Sequence, residues 1–271
     1  MKKDKSKPTL YYKFARKLAR LVCPRATTIY EEKPDDEPAV FVANHSNVSG
    51  PILMTLDFER KHSTWAISYA CEKEKCGVYA YHDIFFGESR KVKWFWRILA
   101  KIMSVALPPI MRYSDTIPVY HDQRLLGTFK KSAAALADGR DLVIFAESPE
   151  RYSEYVNKLQ TGFVDVARTY YRETGKRLKF YPVYIEKHLK TIAVARPITY
   201  DPDMPMSECR GVICDFLLDG IDRLGRSLQS HKPTPFLPKR WYDAYGKYER
   251  DIDGYMCLLG GDEPSGDGEN H

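Results

Sequence analysis

Short, almost wholly apolar runs recur between residues 39 and 198, separated by longer amphipathic stretches, and this alternation is what most constrains the fold. A strand with one wet face alternates apolar and polar residues. A run without that alternation reads as a strand buried on both faces, as in parallel sheets covered by helices. The runs are AVFVA (39–43), TWAISYA (64–70), TIPVY (116–120), LVIFAE (142–147), LKFYPVYI (178–185) and TIAVARPI (191–198). Helical spacing fills the gaps. Leu125–Asp138 is read as a helix closed by Gly139, and Gly162–Thr174 as one closed by Gly175, each glycine standing where a left-handed cap belongs. Residues 52–60 follow Gly50-Pro51 and can begin a helix, and Met206–Ser230 reads as a last long one. Strands alternating with helices imply an α/β fold: a mixed, mostly parallel sheet flanked by helices. No internal repeat is visible.

Two polar strings leave these buried strands. Val42-Ala43-Asn44-His45-Ser46 follows the first run, and Phe145-Ala146-Glu147-Ser148-Pro149-Glu150-Arg151 follows the fourth. Open α/β sheets bind ligands outside the carboxyl ends of their strands, so His45 and Glu147 are expected at one edge. A neutral imidazole there can take a proton from an attacking hydroxyl. Asn44 and Ser46 flank it and can fix its tautomer or polarise a carbonyl. A carboxylate at the same edge can bind substrate hydroxyls or orient a cationic group.

The remaining composition narrows the partners. The net charge is +6, and the acidic, glycine-rich stretch GDEPSGDGENH (261–271) leaves the body more basic still. Anionic partners fit: phosphorylated small molecules or acidic lipid surfaces. Nucleic acid is not expected, because no recognition module is visible. Residues 9–23, TLYYKFARKLARLVC, read as a basic amphipathic helix, with Leu10, Phe14, Leu18 and Leu21 near one face and Lys13, Arg16, Lys17 and Arg20 opposite. Such a helix lies either in a membrane interface or on the protein's own core. The segment 94–111 is apolar, but Arg97, Lys101 and Pro108-Pro109 disqualify it as a span, and part of it is expected to pack as core. No apolar run follows the basic MKKDKSKP, so no secretory signal is expected and the six cysteines read as reduced thiols. Their spacing does not favour a metal site. Three parts are expected: a membrane-facing segment (1–30), an α/β domain (31–235), and an extension ending in the acidic tail (236–271).

In order and spacing, the strings over about residues 36–200 resemble the glycerolipid acyltransferases that make phosphatidic acid from lysophosphatidic acid. That family carries Asn-His-x4-Asp-Pro after a strand; here the string is NHSNVSGP. Its second block resembles Ile-Pro-Val-x-Arg, here IPVYHDQR (117–124). Its third is Phe-Pro-Glu-Gly-Thr-Arg after a helix, a glycine and a buried strand, here ALADGRDLVIFAESPER (135–151). LQTGFVDVA (159–167), FYPVYI (180–185) and Ala195-Arg196-Pro197-Ile198 are similar to later blocks. The resemblance implies His45 as general base, with Asn44, Ser46, His121, Arg124, Glu147, Ser148 and Arg151 binding substrate. It implies a lysophospholipid acceptor, acyl-CoA or acyl carrier protein as donor, no bound cofactor or metal, and a peripheral position on the cytoplasmic face of a membrane.

Departures from the pattern are specific. Gly50 stands where the family has the aspartate that holds the histidine. Ser148, Pro149 and Glu150 replace its Gly, Thr and Arg, with Arg151 one place late. His121 replaces the second-block Arg, with Arg124 three residues on. A non-catalytic lipid-binding relative is therefore the alternative. It gains if none of Asp57, Asp115 or Glu147 reaches His45.

Overall fold

The computed structural model describes residues 10–85, 93–120, 122–148 and 152–237. Eight strands form one sheet: β1 (Thr27–Tyr30), β2 (Val40–Ala43), β3 (His62–Ile67), β4 (Ile117–Val119), β5 (Asp141–Ile144), β6 (Lys179–Glu186), β7 (Thr191–Val194) and β8 (Ile198–Thr199). Their order is β1-β7-β6-β2-β5-β3-β4, with β8 pairing the start of β6. Contacts of β2 with β5 and β6, of β3 with β4 and β5, and of β1 with β7 are parallel. Those of β6 with β7 and β8 are antiparallel. The sheet is thus mixed and mostly parallel, as its apolar runs require.

Among the described residues eight α-helices accompany it: α1 (Leu10–Val22), α2 (Ser49–Asp57), α3 (Ser68–Cys71), α4 (Lys73–Tyr79), α5 (Lys93–Tyr113), α6 (Leu125–Ala137), α7 (Asp165–Thr174) and α8 (Met206–Ser227). One side of the sheet packs Val40, Val42, Leu142, Ile144, Phe180 and Tyr184 against α6, α7 and α8. On the other, Phe41, Ala43, Val143 and Tyr181 lie with Leu53 and Met54 of α2. Every residue of β2 is buried, which makes it the central strand. At its amino end the buried Asp141 accepts the Ala39 N–H (2.9 Å) and pairs with Arg60 (2.6 Å), tying β2, β3 and β5 together.

Several boundaries differ from the sequence reading. The run 64–70 is strand only to Ile67, and 191–198 breaks at residues 195–197 into β7 and β8, which both run antiparallel along β6. Thr27–Tyr30, unassigned by pattern, is an edge strand and lies upstream of the expected boundary at residue 31. Pro108 and Pro109 stand inside α5, which runs on to Tyr113. An internal proline costs a helix about 3 kcal/mol, and packing of α5 on α3 and α4 outweighs that. Gly139 and Gly175 close α6 and α7 with φ of +73° and +72°.

The stripe Leu10, Phe14, Leu18 and Leu21 of α1 is exposed, not packed on the core. Trp94, Ile98, Ile102 and Val105 of α5 are exposed too, while Ala100 of the same segment is buried, so 94–111 packs in part, as expected. The two helices touch: Tyr11 Oη donates to the Ala106 carbonyl at 2.8 Å, and the rings of Tyr12 and Tyr113 lie 5.9 Å apart. No helix among the described residues is long and apolar enough to cross a membrane.

Candidate active site

The chain leaves β2 through a turn with consecutive left-handed residues, Ser46 (φ +44°) and Asn47 (φ +57°), and enters α2 two residues later. Left-handed backbone at non-glycine residues is costly, and such strain gathers at functional sites. The turn brings Gly50 N–H onto the His45 carbonyl at 2.9 Å. It leaves the imidazole at the carboxyl edge of the sheet, with 19% of the side chain exposed.

The loop after β5 doubles back on itself. Ser148 N–H donates to Lys158 O (2.7 Å) and Gln160 N–H to Ala146 O (2.8 Å), with Glu147 paired to Leu159 between them. This hairpin aims the buried Glu147 at its neighbour strand. Its Oε2 lies 3.0 Å from His45 Nδ1 and accepts the His45 backbone N–H at 2.5 Å. Its Oε1 accepts Asn157 N–H at 2.8 Å. A carboxylate beside Nδ1 assigns the proton to that nitrogen and leaves the Nε2 lone pair outward. Among the described residues nothing bonds to Nε2.

Asp57 and Asp115, the other acids considered for the histidine, are engaged elsewhere. Asp57 pairs with Arg20 at 2.7 Å, and Asp115 with Arg140 at 3.1 Å. Among the described residues Glu147 is the carboxylate that meets His45. At Gly50 a Cβ would stand 2.3 Å from the His45 carbonyl oxygen. No side chain fits there.

The remaining expected residues divide. Asn44 is buried beside His45, but its amide spans the backbone of Ile185, donating to its carbonyl (3.2 Å) and accepting its N–H (2.7 Å). It pins β2 to β6. Ser46 is buried in the turn, and its hydroxyl has no hydrogen-bond partner among the described residues. Ser148 is buried, and its carbonyl accepts from Asn157 Nδ2 at 3.2 Å. Arg124 stands past β4, three strands from β2, or roughly 14 Å at the usual strand spacing. There it bonds Asp122 at 2.6 Å and lies 4.1 Å over the Tyr120 ring, its hydrogen bonds lowering the exposed Asp122 carboxyl to about 2. A cavity of about 250 Å³ opens nearby, lined by Glu72, Arg112, Thr116 and Tyr120 among others. His121 and Arg151 lie outside the described residues.

Sequence reasoning missed two rings on the imidazole. Phe145, at the end of the fourth run, is tilted 46° with centroids 5.2 Å apart. Phe236 stacks on it at 3.9 Å and 19°. Phe145 was legible as a neighbour of Glu147. Phe236 stands in a proline-rich stretch without periodicity and gives no local signal. Among the described residues no group of three or more His, Cys, Asp or Glu is placed to hold a metal ion.

No family model and no curated protein matches the sequence. Among solved structures the chain is similar to the 1-acyl-sn-glycerophosphate (LPA) acyltransferase PlsC from Thermotoga maritima. The identity is 14% and the TM-score 0.45, over 79% of each chain. A likeness of that degree leaves the reaction to be argued from the residues themselves.

Proposed function

We propose that this protein is an acyltransferase that moves a fatty acyl group from an acyl thioester, acyl-CoA or acyl carrier protein, to a hydroxyl of a lysophospholipid or related glycerolipid. The observation that carries this reading is the His45–Glu147 pair at the carboxyl edge of β2 and β5. In the proposed step His45 Nε2 takes the acceptor's hydroxyl proton as its oxygen bonds to the thioester carbonyl carbon. The tetrahedral intermediate then expels the thiolate, which takes the proton from the imidazolium. Glu147 holds the tautomer and offsets the transient positive charge, as the carboxylate of a triad does. Of the two motives for the non-catalytic alternative, the 3.0 Å contact answers the missing carboxylate, and the altered arginine pattern stands.

Membrane association is the companion proposal. The exposed stripes of α1 and α5 lie on touching helices, with exposed Lys13, Arg16, Lys17, Arg97 and Lys101 among them. Apolar residues flanked by cations suit an anionic lipid interface.

The test is acyl transfer by purified protein from both donor types to a panel of lysolipids, with His45→Ala and Glu147→Gln beside it. Turnover is expected to vanish with His45→Ala and to fall on the order of 10²–10⁴-fold with Glu147→Gln, as when a triad loses its carboxylate. Wild-type turnover that survives both substitutions would refute the assignment.

A further inference from the structure

The stretch after α8 crosses the carboxyl ends of β6 and β2 as a strap. His231 Nδ1 donates to the Gln229 carbonyl (2.8 Å), so its Nε2 accepts from the Tyr184 hydroxyl (2.9 Å). Thr234 donates twice to Glu186, from its N–H at 3.0 Å and its hydroxyl at 3.1 Å. Glu186 is fully buried, and its third donor is His188 N–H at 3.1 Å. The Pro235 carbonyl accepts the N–H of left-handed Asn47 at 3.0 Å. The next residue is Phe236, on the His45 ring. Pro233 and Pro235 fix φ on either side of Thr234, so ordering the strap costs less backbone entropy than for an ordinary chain. A buried carboxylate satisfied largely by the strap, and a strained turn bonded to it, mark this as a built contact.

We propose that Phe236 is a positioning residue of the His45 site, carried there by the strap 231–236. The inference rests on the acyltransferase reading for its kinetic consequence but not for its geometry. The hydrogen bond to Glu147 fixes one atom of the imidazole, and Phe145 meets it only at a tilt, at 5.2 Å, so the ring can still rock about its Cα–Cβ and Cβ–Cγ bonds. A ring stacked at 3.9 Å removes that freedom, because tilting the imidazole would drive it into Phe236. With Glu147 and Phe145, the stack defines where the Nε2 lone pair points. Phe236 also covers one face of the imidazole and keeps water from competing for the pair. The stack lies on the ring face, so the in-plane approach of a hydroxyl to Nε2 stays open.

The experiment uses the full chain, selectively ¹⁵N-labelled at histidine, with Phe236→Ala, Phe236→Tyr and Thr234→Val. Two quantities are read: steady-state kcat and KM for acyl transfer, and the Nδ1–H proton resonance of His45, identified by its loss in His45→Ala. In Phe236→Ala, kcat is expected to fall on the order of 10- to 100-fold with KM and melting temperature nearly unchanged, as misplacing a catalytic group does. The Nδ1–H resonance should broaden or vanish although Glu147 is intact. Phe236→Tyr should restore both, and Thr234→Val should lie between. An unchanged resonance in Phe236→Ala overturns the proposal, as does a loss that Phe236→Tyr fails to restore. A rise in turnover would mean that the strap obstructs the site, which overturns it too. If the wild-type protein transfers no acyl group to any acceptor, the acyltransferase reading fails and the resonance alone decides the role of Phe236.

Discussion

A Cβ on residue 50 would stand 2.3 Å from the carbonyl oxygen of His45 and 2.8 Å from that of Asn44. Both are backbone atoms, and they belong to the segment that carries the imidazole, so they cannot yield without moving it. The carboxylate beside His45 comes instead from the adjacent strand: it is Glu147, on the loop after β5. We predict that Gly50→Ala destabilises the protein by about 1–3 kcal/mol, the usual cost of overpacking, measured by thermal or denaturant unfolding. Gly50→Asp should fare no better, and placed in Glu147→Gln it should restore no turnover. Recovery in that double variant would show that the loop can accommodate a carboxylate of its own after all. His45, Asn44 and Glu147 were legible in the sequence because each follows a buried run at a strand end. The division of labour was not: Asn44 and Glu147 look alike as polar residues past a strand. Only the partner strand's position makes one a pin for Ile185 and the other a partner for the imidazole.

Among the elements, α1 and α5 carry the same exposed pattern, apolar residues at 10, 14, 18 and 21 and at 94, 98, 102 and 105. Helical spacing fixes that these residues share a face. Whether the face is covered is a matter of where neighbouring elements run. In α1 the anchor is Arg20, bonded to Asp57 at the end of α2, while the stripe turns away from the sheet. Exposing several large apolar side chains on adjoining helices is what an interface with lipid would use. We predict that Phe14→Glu with Leu18→Glu weakens binding to vesicles containing anionic lipid by at least tenfold in a sedimentation assay. Each removed side chain gives up on the order of 1.5–3 kcal/mol of apolar burial. Turnover on a soluble short-chain acceptor should be unaffected. Equal vesicle binding by the double variant would place the lipid contact elsewhere.

For the whole molecule, stability should depend on pH through the groups that the sheet buries. His62, at the start of β3, is largely buried, with Nδ1 donating to the Arg60 carbonyl at 2.8 Å and Phe58 edge-on at 5.6 Å. Burial pushes its pKa below the ordinary 6.5, against the smaller pull of that carbonyl and of Asp141. A depressed folded value means the unfolded chain binds the proton more readily. The contribution is therefore full above pH 6.5 and is lost as pH falls through the folded value. Melting temperature should drop between pH 7.5 and 5, and His62→Gln should flatten that slope; an unaltered slope would exclude His62 as its source. The sequence by itself determined the layered α/β architecture, because runs without alternation can be buried only between helices. It also determined that His45 and Glu147 leave strands at the same edge. It could not determine strand order, which depends on long-range pairing, and so could not say that β2 and β5 are neighbours. That adjacency, with the hairpin that follows β5, brings Glu147 within a hydrogen bond of His45. The arrival of Phe236 from a segment nearly two hundred residues away was likewise decided by the tertiary structure, since its path is set by bonds to Glu186 and Asn47 and by no periodicity of its own.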